Sequence, residues 1–273
     1  VRVLFWNFGD VQSTPRKLSC PLEAAGRRRK RYSHYFPKCQ FDSDCENENE
    51  KCCDRKCVVG DPLPAEPRVT QLIDGSFKQI SAAPMPLEFV GSVGLVQSGG
   101  LNVLVDTGGV PEKGLLLEAL REKAGLYAQD IDYIVTSHGH PDHNANTDLF
   151  PDVPQSFDNL EIVGSVYNLN AIGQGQSPAL IKNDSNLEII QTPGHTLQDS
   201  TLLVHNVPNM GTVALVGDLF YFSQDYNIPS LVDGQEYKDS RQKVACRADY
   251  ILPGHGTIFP VDDAYRTAAG FTC

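Results

Sequence analysis

Hydrophobic positions in this chain gather in runs of three to five residues, each followed by a polar or glycine-rich break. Ile131–Val135, Leu187–Ile190, Val213–Val216 and Tyr250–Leu252 are such runs, and Leu160–Val163 and Thr201–Val204 are of the same kind. Short apolar runs bounded by turn residues predict buried strands. Val93–Val96 and Leu101–Val105 flank Ser98-Gly99-Gly100, which predicts a β-hairpin. One stretch has helical spacing. After Pro111, the positions Leu116, Ala119, Leu120 and Lys123 recur near the 3.6-residue period until Gly125 stops them. Strands alternating with helix predict a mixed α/β fold.

The chemistry clusters where these strands end. Ser137-His138-Gly139-His140-Pro141-Asp142-His143 follows the first run, and Pro193-Gly194-His195-Thr196 follows Leu187–Ile190. Gly217-Asp218 follows Val213–Val216, and Pro253-Gly254-His255-Gly256 follows Tyr250–Leu252. Loops at strand ends can converge on one point, because the sheet fixes where they start. Five imidazoles and two carboxylates brought together in this way suit a pair of divalent cations. The two remaining histidines, His34 and His205, stand alone and read as ordinary packing residues.

Taken in order, H-x-H-x-D-H, P-G-H-T, G-D and P-G-H-G resemble the metallo-β-lactamase superfamily in its glyoxalase-II-like branch. Leu104-Val105-Asp106-Thr107-Gly108-Gly109 resembles that superfamily's first motif, and the likeness covers roughly residues 68–273. The resemblance implies an αββα sandwich and a hydrolase with two zinc ions. By motif position, His138, His140 and His195 hold the first ion, and Asp142, His143 and His255 the second. Asp218 bridges them, and Asp142 and Asp218 are the catalytic carboxylates. Asp106 orients a ligand from behind. A hydroxide between the ions would attack an ester, thioester or similar bond.

Departures within the superfamily narrow the expectation. Asp218 stands where antibiotic-hydrolysing members have Cys, and His140 where flavodiiron proteins have Glu. Only 22 residues separate His195 from Asp218 and 36 separate Asp218 from His255, which leaves no room for an inserted nuclease domain. With 18 residues after His255, the glutathione-binding helices of glyoxalase II are not expected. Leu104–Gly109, Asp148-Leu149-Phe150-Pro151 and Gly211-Thr212-Val213 resemble one subfamily in particular, which implies the alternative of an endoribonuclease cleaving histone pre-mRNA. Another alternative is a mononuclear iron persulfide dioxygenase built on His138, His195 and Asp218. Substrate contacts are expected from Tyr221-Phe222, Asn144–Asn146 or the stretch 167–176.

Charge and cysteines split the chain. Residues 1–67 carry 12 Lys+Arg against 10 Asp+Glu, whereas 68–273 carry 11 against 24, a net of −13 within a total of −11. So acidic a segment favours a small-molecule substrate over nucleic acid. Cys20, Cys39, Cys45, Cys52, Cys53 and Cys57 crowd the first part, in a pattern that resembles a degenerate whey-acidic-protein module with six of the usual eight cysteines. Three bridges or a zinc site are the two readings. The Cys52-Cys53 pair and the lack of a repeated C-x-x-C favour bridges, with 15 connectivities open. The module would then be a protease inhibitor only as a minor alternative. Cys246 and Cys273 form a further candidate bridge or remain thiols.

The expected organisation is a module at 1–60, a proline-rich linker at 61–67 and a catalytic domain at 68–273. The cysteines point to secretion, and the subfamily resemblance to cytosol or nucleus instead. No apolar stretch is long enough to span a membrane. The chain opens without Met, so a processed or partial product is expected. Arg27–Arg31 reads as a solvated basic loop, and Asn183-Asp184-Ser185 as a lone glycosylation sequon. Oligomeric state stays open, a homodimer included.

Overall fold

The computed structural model describes residues 18–21, 39, 42–45, 47, 49–80, 87–173, 177–227 and 234–273. The run 27–31, His34, the opening apolar stretch and residues 174–176 lie outside the described residues. Two compact units divide the chain, Val1–Leu63 and Pro64–Cys273.

In the first unit, β1 (Leu18–Ser19) pairs antiparallel with β4 (Asp61–Pro62), and β2 (Glu50–Cys53) with β3 (Lys56–Val59). Sulfur takes the place of a core. Cys20–Cys53, Cys39–Cys52 and Cys45–Cys57 are bridged, and Cys20, Cys39, Cys52 and Cys53 are buried. Successive strand residues point to opposite faces, so adjacent Cys52 and Cys53 reach different partners. The sulfurs of Cys39, Cys45 and Cys57 come together, but all are bridged and no free cysteine is found among the described residues. No thiolate is left there for zinc.

The second unit holds two sheets. One has the order β13-β12-β11-β10-β9-β8-β5, built from β5 (Arg68–Ile73), β8 (Val93–Ser98), β9 (Leu101–Val105), β10 (Tyr133–Val135), β11 (Gln155–Phe157), β12 (Leu160–Val163) and β13 (Val166–Asn168). The other has the order β14-β15-β16-β17-β18, from β14 (Leu187–Gln191), β15 (Ser200–Val207), β16 (Gly211–Leu215), β17 (Tyr250–Leu252) and β18 (Phe259–Pro260). A separate hairpin joins β6 (Ser76–Gln79) to β7 (Leu87–Val90). Gly99 and Gly100, both at positive φ, close the β8–β9 hairpin as the twist of paired strands demands.

Strand periodicity makes the layers. Val103 and Val105 of the first sheet share one cluster with Leu187, Ile189, Leu202, Val204, Val213 and Leu215 of the second, which is the core between the sheets. The second sheet's other face, Leu203, Ala214 and Ile251, packs on Tyr237, Val244 and Ala245 of a helix at Gln235–Ala245. Helix α1 (Lys113–Ala124) lies against β5 and buries Leu116, Ala119 and Leu120. It ends where Gly125 turns left-handed at φ 65° and its N–H bonds back to Arg121 and Leu120. The result is an αββα sandwich. No described helix is long and apolar enough to cross a membrane.

Strand direction places the loops. β9 and β10 are parallel, as are β16 and β17, while β14 and β16 both run antiparallel to β15. The C-terminal ends of β9 and β10, and of β14, β16 and β17, therefore lie on one side of their respective sheets.

Candidate metal centre

All seven side chains singled out from the motifs meet at that rim. His138 Nε2 and His195 Nε2 lie 3.1 and 3.0 Å from His140 Nδ1. Asp218 Oδ2 closes this group at 3.9 Å from His138 and 3.5 Å from His195. On the other side, His143 Nε2 and His255 Nε2 each lie 3.6 Å from Asp142 Oδ2 and 3.1 Å from Asp218 Oδ1. Asp218 Oδ1 thus faces the second group, while Oδ2 lies between the two, also 3.2 Å from His255 Nε2.

These spacings test whether an ion fits. Zinc binds nitrogen and oxygen at about 2.0–2.1 Å, so the edge of its tetrahedron is about 3.4 Å. The observed separations of 3.0 to 3.9 Å straddle that edge. A second sign is what the buried atoms lack. Neither His143 Nε2 nor Asp218 Oδ1 makes a hydrogen bond to a described residue, although they are 3.1 Å apart. Such orphans are expensive unless something else satisfies them. A divalent pair fits this donor set.

The four imidazoles that offer Nε2 are held through Nδ1. His143 Nδ1 meets Asp106 Oδ2 at 2.8 Å, His255 Nδ1 meets the Val90 carbonyl at 2.9 Å, and His195 Nδ1 meets the Tyr221 hydroxyl at 3.0 Å. His138 Nδ1 lies 3.0 Å from Ser137 Oγ, which donates to Asp106. Acceptors at Nδ1 fix the tautomer that leaves Nε2 a lone pair for a metal. Asp106 therefore sits behind both groups. It is buried at φ 61°, a conformation rare outside glycine, and also accepts from the Ser137 amide at 2.7 Å.

Charge is balanced tightly. Burial, then the charge of His143, pushes the His138 imidazole down to about 2. Burial also pushes His143 down, but the hydrogen bond and charge of Asp106 outweigh it and raise the group well above its usual range. Burial pushes the Asp218 carboxyl up, and the imidazoles of His143 and His255 more than reverse this.

Two glycines make room. A Cβ on Gly254 would collide with Asp218 Oδ1, and one on Gly217, at φ 54°, with Ser137 Oγ. Gly217 of the G-D motif and Gly254 of the P-G-H-G motif are steric necessities.

Other parts of the frame carry no sequence motif. Arg241 is buried, donates to both Asp225 oxygens at 2.6 and 2.8 Å and to the Leu219 carbonyl at 2.8 Å, and lies 4.0 Å over the Phe220 ring. Asp225 in turn accepts from the Tyr221 amide. Tyr237 donates to the Asp218 carbonyl at 2.6 Å. Asn146 is buried and donates to the carbonyls of Thr107, Gly108 and Gly109, so it braces the first motif and does not face a substrate. His205 lies apart, against Thr212 and Glu188.

Known proteins place this arrangement. The Metallo-beta-lactamase superfamily profile matches residues 87–155. Metallo-beta-lactamase domain-containing protein 1 of Xenopus laevis is 34% identical over 204 residues, covering 73% of this chain and 84% of that protein. The chain belongs to the metallo-β-lactamase superfamily. The human protein of the same name is 33% identical over 162 residues, 58% of this chain and 59% of its own. An uncharacterised Caenorhabditis elegans protein is 34% identical over 192 residues, and the chain spans 52% of its length. Among solved structures, a Thermotoga maritima protein described as a metallo-beta-lactamase superposes with a TM-score of 0.54 at 18% identity, over 71% of this chain and 99% of its own. A quorum-quenching N-acyl homoserine lactone hydrolase gives 0.50 at 17% identity, over 71% and 93%. At such identities these share the superfamily's fold.

Proposed function

We propose that this metallo-β-lactamase superfamily member is an exported hydrolase with two zinc ions that cleaves small esters, thioesters or lactones. His138, His140 and His195 would hold one ion, Asp142, His143 and His255 the other, and Asp218 both. The observation that carries the reading is the Asp218 carboxylate, which reaches both trios, at 3.5 Å from His195 through Oδ2 and 3.1 Å from His143 and His255 through Oδ1. Bound there, a zinc pair lowers the pKa of water toward about 7 and stabilises negative charge on the substrate oxygen.

The chain's own residues supply the rest. Asp106, Ser137, Tyr221 and the Val90 carbonyl keep the imidazoles in their binding tautomers. The substrate side is apolar. Phe77 and Phe89 meet at 5.1 Å, Phe77 and Phe222 stack at 6.3 Å, and Phe89 sets an edge against His255 at 5.2 Å. Partly exposed rings beside a cationic centre suit an apolar acyl or aryl group next to the bond being cut. The net of −13 across 68–273 opposes binding of a polyanion such as RNA. Bridged cysteines in both units support an oxidising, extracellular setting.

Metal analysis of the purified protein followed by an ester, thioester, lactone and RNA panel tests this. Two zinc ions per chain with turnover of an apolar ester or thioester is expected. One iron per chain, or turnover of RNA alone, overturns the reading.

A further inference from the structure

We propose that Asn183 carries an N-linked glycan whose first sugar rests in a hollow beside it; this rests on the reading that the chain is exported. Asn183-Asp184-Ser185 satisfies the acceptor rule, with a non-proline residue in the middle. A sequon is common by chance, so its surroundings decide. Asn183 caps the C-terminus of the short helix Ala179–Lys182. It and Ser185 are exposed, and no described residue hydrogen-bonds either side chain.

Asp184, between them, is 8% exposed. Its Oδ1 accepts from the Asn186 amide at 2.9 Å and from Asn186 Nδ2 at 3.1 Å. Its Oδ2 has no partner among the described residues. Gly99, Leu101, Leu180, Asn183, Asp184 and Ser185 line a hollow of about 250 Å³ there. A water takes about 30 Å³, so the hollow has room for a small ring. A sugar linked to Asn183 lays its apolar face on Leu180, itself 38% exposed, inside this hollow. Gly99 keeps the space open, since a Cβ there would stand 2.7 Å from Asp184 Oδ2.

The position is compatible with activity. Asn183 precedes the start of β14, and His195 follows its end. Five strand residues span about 17 Å. The glycan would stand at the rim opposite the metal centre. In the transfer, the Asn183 amide nitrogen bonds to the anomeric carbon of a sugar carried on a lipid diphosphate. The sugar–phosphate bond breaks, the diphosphate leaves with the electron pair, and the nitrogen loses one proton.

The full chain, expressed behind a secretion signal in eukaryotic cells, should run as a glycoprotein that shifts on peptide-N-glycosidase digestion, with Asn183 converted to Asp in its peptide mass. Asn183→Gln and Ser185→Ala should each abolish the shift, while Ser185→Thr keeps it and all three retain metal and activity. Protein recovered with its four disulfides formed and Asn183 bare overturns the modification alone. Exported protein that forms no disulfides overturns the export reading and this proposal with it.

Discussion

The two halves of the metal centre are built from the same kinds of side chain but enclosed differently. In the half made by His138, His140 and His195, His140 is exposed and the His195 side chain keeps 13% of its surface. In the half made by Asp142, His143 and His255, both imidazole side chains are fully buried. Their supports differ too. The first half leans on the hydroxyls of Ser137 and Tyr221, and the second on the Asp106 carboxylate and a backbone carbonyl. A charged carboxylate or a carbonyl fixed in the chain orients a ring more firmly than a rotatable hydroxyl. Closed sites anchor a metal and open ones exchange ligands. On the two-zinc reading, the half with His143 and His255 would hold its ion more tightly, and the half with His140 and His195 would exchange ligands more readily.

Removing the group common to both halves has the largest expected effect. Asp218→Ala should lower metal content from two ions toward none and reduce hydrolysis by more than about 100-fold, beyond the range seen when only a supporting partner is lost. Mass spectrometry under native conditions reads the stoichiometry. A variant still carrying two ions would remove the bridging assignment. Next come His255→Ala and His140→Ala, which separate the halves. Emptying the buried position should destabilise by about 2–5 kcal/mol, as for other large-to-small changes in a core. In the metal-free protein the exposed position should stay within about 0.5 kcal/mol. Each variant should keep about one ion, and the ion left in His140→Ala should resist chelator longer.

Arg241 tests whether the loop carrying Asp218 depends on its frame. Arg241→Ala leaves the buried Asp225 carboxylate without its cation, and breaking such a pair costs about 3–5 kcal/mol. Because the same guanidinium holds the Leu219 carbonyl, the open half should lose affinity as well, through Asp218 and Tyr221. Thermal melts and zinc titration together check this. A stability loss with unchanged zinc affinity in both halves would confine Arg241 to the core.

What could be read from the chain follows from how local each feature is. The strands before the motifs were legible because each is a dense apolar run, and α1 because its period and its stop at Gly125 lie within one window. β5, β6 and β7 were not legible. Thr70, Gln71, Ser76 and Lys78 break their apolar pattern, and their pairing is decided by strands elsewhere. At the centre the seven motif residues stood out as types at strand ends, and Asp106 as part of a motif. The Val90 carbonyl and the Arg241–Asp225 pair carry no pattern of their own, and Ser137 stood in the first motif without a role. Asn146 looked like a surface amide beside the histidine cluster, yet it is buried and braces the Thr107–Gly109 turn. Tyr221 was expected against substrate, and its hydroxyl faces His195. A side chain's direction is a tertiary fact.

The finest distinction between the halves is one of pH. Asp199 braces the open half's loop, accepting from the Thr196 amide at 2.7 Å and from the Thr196 hydroxyl at 2.5 Å. Burial pushes its carboxyl up to about 6, despite those hydrogen bonds. An unfolded aspartate titrates near 3.9. Because the folded value is the higher one, the neutral form is favoured in the native protein. The stability it contributes is therefore fully present below about pH 4 and is lost as the pH rises through the folded value. Asp199→Asn cannot ionise, so its melting temperature should fall less than the parent's between pH 4 and pH 6.5, by a few degrees at most. Chelator release from the open half should show the same flattening, and release from the enclosed half should not change. Parallel melting curves for the two proteins across that range would show that Asp199 does not titrate there and that the open half's loop is held by other means.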